Sequence, residues 1–330
     1  MPDTATKGPS RIRLTQESIV FAIAALFFVG FSAFLPGFFN TENLLSLVQN
    51  VSILGMLGIG MGIVVIGRGI DLAMVATMAM STAWTVALLN TGGGVGTAVL
   101  LGAGFAAVVG VILGFLVAYV EIPAIFATLA MSIVVYGFGR MVLVDLDVIY
   151  VPGNAVWMQA LSRSALGVPL PVVWFALLSL VAFLFLRFAR LGRYIFAMGD
   201  NRAAARITGI PVRPMTVLQY LISSLIAYAA GIVTASLLAS VNIRVAQSTM
   251  VYDVILVVVL GGIGLSGGKG GIRNIIVGTL LIGILLNGMT ILDMSFTVQN
   301  LVKGSVLLIA IIVDSIANPR DEQTAQQGDI

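Results

Sequence analysis

The chain contains no cysteine and no histidine among its 330 residues. Disulfides, thiolate or imidazole metal sites and histidine acid–base chemistry are excluded together. Charge is the next scarcity: 9% of residues are charged, against about 25% in soluble globular proteins. Hydrophobic residues reach 59% and the mean hydropathy is +1.09. So few charges cannot solvate an ordinary surface, so lipid must cover much of it. A phosphate loop is also missing. Gly268-Lys269 is followed by Gly270 where Ser or Thr is needed, and Ile263 stands where the loop's first glycine belongs. ATP hydrolysis on such a loop is therefore excluded.

Long apolar runs are abundant. A spanning helix needs roughly 20 mostly apolar residues. Such stretches fall at 17–36, 42–66, 70–90, 95–119, 122–143, 168–187, 215–239, 250–266, 272–292 and 297–314. The expected fold is therefore an all-α polytopic membrane protein of about ten transmembrane helices, 17–314, between an N-tail at 1–16 and a C-tail at 315–330. The first run is too long for a signal-peptide core and no small-residue cleavage site follows, so it reads as a retained helix. Gly67-Arg68-Gly69 reads either as a tight turn or as a break at membrane depth. With the N-terminus cytoplasmic, only Arg140, Arg163 and Arg244 of the 17 basic residues fall outside, and Lys303 lies within the last span. The positive-inside rule then makes both termini cytoplasmic.

Two connections are long. The outer one, 144–167, carries Pro152, Gly153 and Trp157 and reads as an ordered loop with a short interfacial helix. The inner one, 188–214, reads as structured: Asp200 or Asn201 can cap a short helix that Gly209 and Pro211 stop. Five spans precede the outer loop and five follow it, which would place the halves in opposite orientations as a 5+5 inverted repeat. Sequence support is thin, because VVIGRGIDL at 64–72 and VVLGGIGL at 258–265 are alike only as apolar, glycine-rich runs.

Several motifs are decoys. Gly262, Gly264 and Gly267 fit G-x-G-x-x-G, but the preceding run is a span and the next acidic residue is Asp293. Gly264-Leu265-Ser266-Gly267-Gly268 fits G-x-S-x-G, but the chain has no histidine to serve as base. The segment reads as a flexible turn with Lys269 and Arg273 near lipid headgroups. Glycines crowd the second span (Gly55, Gly58, Gly60, Gly62) and the fourth (Gly102, Gly104, Gly110, Gly114), as close helix packing in lipid requires.

Ionisable and amide side chains at membrane depth are costly and often functional. Asn50, Asp71, Asn242, Arg244, Asp253 and Asn287 are candidate pathway residues, with Arg140, Gln219, Asn300 and Lys303 as further polar groups in or near spans. End-capping and snorkelling are the commoner roles of such residues. Asp71 could pair with Arg68, and Asp253 could lie near Arg244. No carboxylate is expected mid-span, which argues against an ion-coupled carrier. No facing pair of aspartates suggests an intramembrane enzyme.

Four stretches carry a family resemblance: Gly67–Leu72 (GRGIDL), Pro123–Leu129 (PAIFATL), Leu191–Ile210 (LGRYIFAMGDNRAAARITGI) and Val258–Gly271 (VVLGGIGLSGGKGG). With these the chain resembles, from about 42 to 314, the permease subunits of bacterial ATP-binding-cassette importers for sugars, the ribose/xylose/arabinose/autoinducer-2 branch. The resemblance implies a multi-pass inner-membrane protein with no cofactor. It implies a separate ATPase subunit, a periplasmic substrate-binding protein and a second permease chain, identical or not, in the lipid bilayer, with no nucleic acid. It implies that 188–214 couples to the ATPase through Gly192, Arg193, Gly199, Asn201, Ala203, Ala204, Arg206 and Gly209. The solute would be a monosaccharide, a polyol or a related small polar molecule.

Overall fold

A computed structural model describes residues 16–165 and 167–317. The expected tails, apart from Gln16 and 315–317, lie outside these. Thirteen α-helices and four short strands follow in order. They are α1 (Gln16–Phe34), α2 (Thr41–Ile66), α3 (Met74–Asn90), α4 (Val95–Ala118), α5 (Ala124–Phe138), β1 (Val148–Tyr150), α6 (Val156–Ala160), β2 (Ser164–Ala165), β3 (Val168–Pro169), α7 (Leu170–Phe188), α8 (Arg190–Asp200), α9 (Arg202–Ile207), α10 (Val212–Leu238), β4 (Ser240–Asn242), α11 (Met250–Leu260), α12 (Ile272–Ile291) and α13 (Phe296–Ala317). The protein is thus mostly helical, and its long helices are apolar enough to make it a polytopic membrane protein.

Seven helices are long and apolar enough to cross a bilayer, and three apolar segments, Met74–Asn90, Met250–Leu260 and Phe296–Ile312, are shorter. The shortness has a visible cause at α3. After α2 ends, residues 67–73 turn back along it. The amide of Asp71 approaches Met61 Sδ at 3.5 Å, five residues before the end of α2. Helix α3 therefore starts inside the bundle and needs fewer residues to reach the far end. The span expected at 70–90 is helical only from Met74, and the turn at 67–69 leads into a re-entrant break. The span expected at 250–266 is helical only to Leu260. Its 11 residues rise only about 16 Å, roughly half the hydrocarbon thickness.

The core is built around α2 and α10, 26 and 27 residues long. Helix α10 packs on α4, α2 and α3, while α2 packs on α12, α7 and α11. The series α2–α5 and α10–α13 share one order: long helix, irregular break, short helix, long helix, final helix. Helix α10 lies on α4 as α2 lies on α12, and α3 touches α5 as α11 touches α13. The two breaks sit at opposite ends of the bundle. The similar runs 64–72 and 258–265 close α2 and α11, which are not equivalent places in the two series, so that likeness is chance.

Glycines make the closest approach. A Cβ on Gly114 would stand 2.4 Å from the Cα of Val217, and one on Gly110 2.8 Å from the Cα of Leu221. Gly104, on the same helix, faces open space in an apolar groove of about 590 Å³ lined by Trp84, Phe105 and Phe138. Gly114→Leu should therefore abolish recovery of monodisperse permease in detergent, and Gly104→Leu should leave it unchanged. Size-exclusion chromatography of the two variants checks this.

One end of the bundle carries α8 and α9. The other carries the strands. There β1 pairs antiparallel with β4, with Ile149 opposite Val241. Met158 of α6 is fully buried, and its carbonyl accepts the Ser236 hydroxyl from α10. Within the stretch 144–165 lie β1, the short helix α6 and β2.

Candidate functional site

The segment 188–214 folds as two short helices between α7 and α10. Helix α8 buries Gly192, Ile195, Met198 and Gly199 on one stripe and leaves Arg190 and Arg193 exposed. A Cβ on Gly192 would stand 2.3 Å from the carbonyl oxygen of Phe185, so only glycine lets α8 fold against the end of α7. Asn201 caps α9: its Oδ1 accepts the Ala204 amide at 2.9 Å. Helix α9 ends at Gly209, which takes φ +83. Ala203, Ala204, Arg206 and Ile207 remain exposed. Ile207, 87% exposed at the helix tip, is a large apolar residue that the sequence reading missed.

Three of the four family-like stretches, far apart in sequence, interlock at this end. The amide of Gly268 donates to the carbonyl of Ile66 at 2.8 Å. Gly199 lies against the same peptide: a Cβ there would meet Ile66 O at 1.8 Å and Gly268 N at 2.6 Å. Arg68, at φ 62, donates from Nε to Ser266 O at 2.7 Å and from a terminal nitrogen to Asp200 O at 2.9 Å. Arg202 reaches Gly67 O at 3.5 Å, and burial pushes its guanidinium below the usual arginine range. The turn after α11 has glycine at four positive-φ positions, Gly262, Gly267, Gly268 and Gly270. Its composition therefore serves backbone shape. The fourth stretch begins beside a further link, where Arg213 at the start of α10 donates to Glu121 at 2.8 Å and covers the Tyr119 ring at 5.5 Å.

From Arg68 the chain runs inward. Tyr220 donates its hydroxyl to Ile70 O at 3.2 Å. Asp71, fully buried, accepts the Ser223 hydroxyl at 2.7 Å and the Ala73 amide at 3.1 Å. This carboxylate sits at the N-terminus of α3, where the helix dipole favours it. It does not pair with Arg68. The re-entrant break thus buries a carboxylate inside the helix bundle. Gln219 packs against Gly67 and Gly69. It is fully buried, and neither of its amide atoms has a hydrogen-bond partner among the described residues.

The other polar candidates disperse. Asn242 accepts the Arg244 amide at 3.0 Å as a local cap. Arg244 donates from Nε to Asp147 at 2.9 Å, and Arg140 approaches the same carboxylate at 3.5 Å. Asp253 does not lie with Arg244. It pairs with Lys303 of α13 at 2.9 Å, and both side chains are largely buried. Thr249 lies 3.4 Å from the ammonium and donates to Asn300 at 3.2 Å. Asn287 exchanges two amide hydrogen bonds with Asn43, at 3.0 and 2.9 Å, tying α12 to α2. Asn50 is exposed on α2.

A bundle of long apolar helices, held together by glycines and closed at one end by an interlocked helical loop, defines a polytopic membrane protein. A family profile described as branched-chain amino acid transport system / permease component matches residues 43–311. The ribose import permease protein of Escherichia coli K12 is 32% identical over 314 residues, covering 92% of this chain and 94% of that one. The ribose import permease protein of Bacillus subtilis is 35% identical over 280 residues, covering 84% and 86%. The L-arabinose transport system permease protein of Escherichia coli K12 is 29% identical over 311 residues, covering 92% and 91%. No solved structure matches. The chain belongs to this family of permease components. It is the transmembrane component of an ATP-binding-cassette importer, a multi-pass protein of the bacterial inner membrane.

Proposed function

We propose that this permease conducts a monosaccharide such as ribose or arabinose, or a related small polar solute, through a channel formed with a second permease chain. A periplasmic binding protein delivers the solute and a separate ATPase subunit drives transport. The observation that carries the coupling role is the interlocked α8–α9 end. A rigid two-helix unit presents Arg193, Ala203, Ala204, Arg206 and Ile207 outward, while Gly192 and Gly199 lock it to the ends of α7 and α2. A partner that pushes on such a unit moves the bundle with it.

Ten crossings with both termini cytoplasmic fit the packing. Every long-range link joins residues that this topology places on one side: Arg68 with Ser266 and Asp200, Arg213 with Glu121, Asn43 with Asn287, and Tyr150 with Ser240. The paired series α2–α5 and α10–α13, with breaks at opposite ends, support the inverted repeat. Of the pathway candidates, Asn50 is exposed on α2, which supports a lining role for it, whereas the Asp253–Lys303 pair is largely buried. Asp71 and Asn287 act within the bundle.

Uptake of labelled ribose into proteoliposomes tests this reading. We expect uptake to require ATP, the ATPase subunit and the binding protein, and to be competed by pentoses. Uptake driven equally by an ion gradient without the ATPase contradicts the coupling. Competition by leucine instead of pentoses contradicts the solute class.

A further inference from the structure

We propose that residues 67–73 are a two-position switch that carries the stroke of the coupling segment into the membrane, with Arg68 as its handle and Gln219 as its catch. This deepens the proposed docking of 188–214 on an ATPase, and rests on it.

The handle is defined by contacts. Arg68 is the second residue of the break, after Gly67, and its guanidinium holds carbonyls of both the coupling segment (Asp200) and the α11–α12 turn (Ser266). Charge-assisted hydrogen bonds of this kind are roughly twice as strong as neutral ones. Arg202 adds a contact from the coupling segment to Gly67. A displacement of α8 and α9 therefore pulls on the turn that closes α2, where the amides of Gly67, Arg68 and Gly69 donate to the carbonyls of Ile63, Val65 and Val64; these are the bonds that the second position would exchange. The far end of the break is anchored. Tyr220 holds Ile70, Ser223 holds Asp71, and Asp71 caps α3. Movement at Arg68 is thus delivered to the N-terminus of α3, at membrane depth.

Transmission requires an element with two discrete arrangements, beyond a chain of neighbours. Gln219 supplies that feature. A fully buried amide left without partners costs free energy and calls for an explanation. Here it stands against the two glycines of the turn: a Cβ on Gly67 would meet its Oε1 at 1.9 Å, and one on Gly69 its Nε2 at 3.3 Å. With no side chains on those glycines, the turn can slide across the amide. Shifted peptides at 67–69 would offer it the donors and acceptors that it lacks in the present position. Gln219 would then stabilise the second position and leave the first under strain.

The test uses the assembled transporter with its ATPase and binding protein in proteoliposomes. Arg68→Ala should retain the ATPase subunit and its ATP hydrolysis while uptake falls roughly tenfold or more, the scale of losing such hydrogen bonds, and Arg68→Lys should restore part of it. Gln219→Leu should raise the melting temperature of the permease, because an unsatisfied amide is removed, and still lower uptake. A residue that serves packing alone would give the first change without the second. Wild-type uptake in Arg68→Ala or in Gln219→Leu overturns the switch, as does a proportional loss of hydrolysis and uptake in Arg68→Ala. If Arg68→Ala does not fold, Gln219→Leu decides. If the wild-type permease fails to retain the ATPase, the docking reading itself fails.

Discussion

Gly199→Val should abolish uptake by the reconstituted transporter, and Gly199→Ala should nearly do so, while the chain still inserts in the membrane. The reason is geometric. The first carbon of any side chain would stand 1.8 Å from the carbonyl oxygen of Ile66 and 2.6 Å from the Gly268 amide nitrogen, and both are backbone atoms that cannot rotate away. The coupling segment would be pushed off the end of α2, taking the Arg68 contacts with it. Gly209 is the informative contrast. Its φ of +83 disfavours other residues, yet a Cβ there meets nothing within 4 Å. Gly209→Ala therefore costs only the left-handed backbone penalty, about 1–2 kcal/mol, and uptake should fall modestly. Parallel uptake assays on Gly199→Ala and Gly209→Ala separate the two mechanisms. Equal losses would show that close packing at Gly199 does not matter.

Removing one member of the Asp253–Lys303 pair should produce the largest loss of stability. The two groups are 2.9 Å apart with 13% and 8% of their side chains exposed. Asp253→Asn leaves an ammonium buried without its partner, and Lys303→Met leaves a carboxylate so. Breaking one side of a buried pair costs about 3–5 kcal/mol, whereas replacing both members by apolar residues is often neutral. The double variant Asp253→Leu, Lys303→Met should thus recover most of the melting temperature lost by either single variant. Helix α13 packs chiefly on α11, so the single variants should loosen α13 first. Cysteine introduced at exposed Leu301 would report this by faster maleimide labelling, in a chain that has no other thiol. Additive losses in the double variant would mean that the two groups act independently.

The sequence shows much of this fold because lipid imposes a simple rule: apolar runs of sufficient length become helices. The short capped helix within 188–214 is also legible, since its marks are local. Asn201 caps a helix three residues away, and Gly209 ends it. What stayed hidden depends on contacts between distant residues. Nothing in the sequence near Arg68 says that its partners are Ser266 and Asp200. Asp71 reads as a charge beside Arg68, but the chain doubles back along α2 and carries it to Ser223. Lys303 and Asp253 are 50 residues apart on helices whose mutual rotation no periodicity fixes. The glycine-rich turn at 261–271 lacks the surroundings that nucleotide and nucleophile motifs require. Its structural purpose appeared only when its backbone was seen against Gly199. Ile207 escaped notice because one isoleucine in an apolar chain is unremarkable until it is found bare at a helix tip.

On the proposed function, α9 is the surface on which a separate ATPase acts. Ile207→Cys would be the sole thiol of the permease, placed at its most exposed large apolar side chain on that helix. A short photoreactive maleimide attached there should cross-link to the ATPase subunit in membranes containing the assembled transporter, and uptake should stop in proportion to the cross-link. A cross-link confined to lipid or to the permease, with uptake unchanged by the label, would contradict the account.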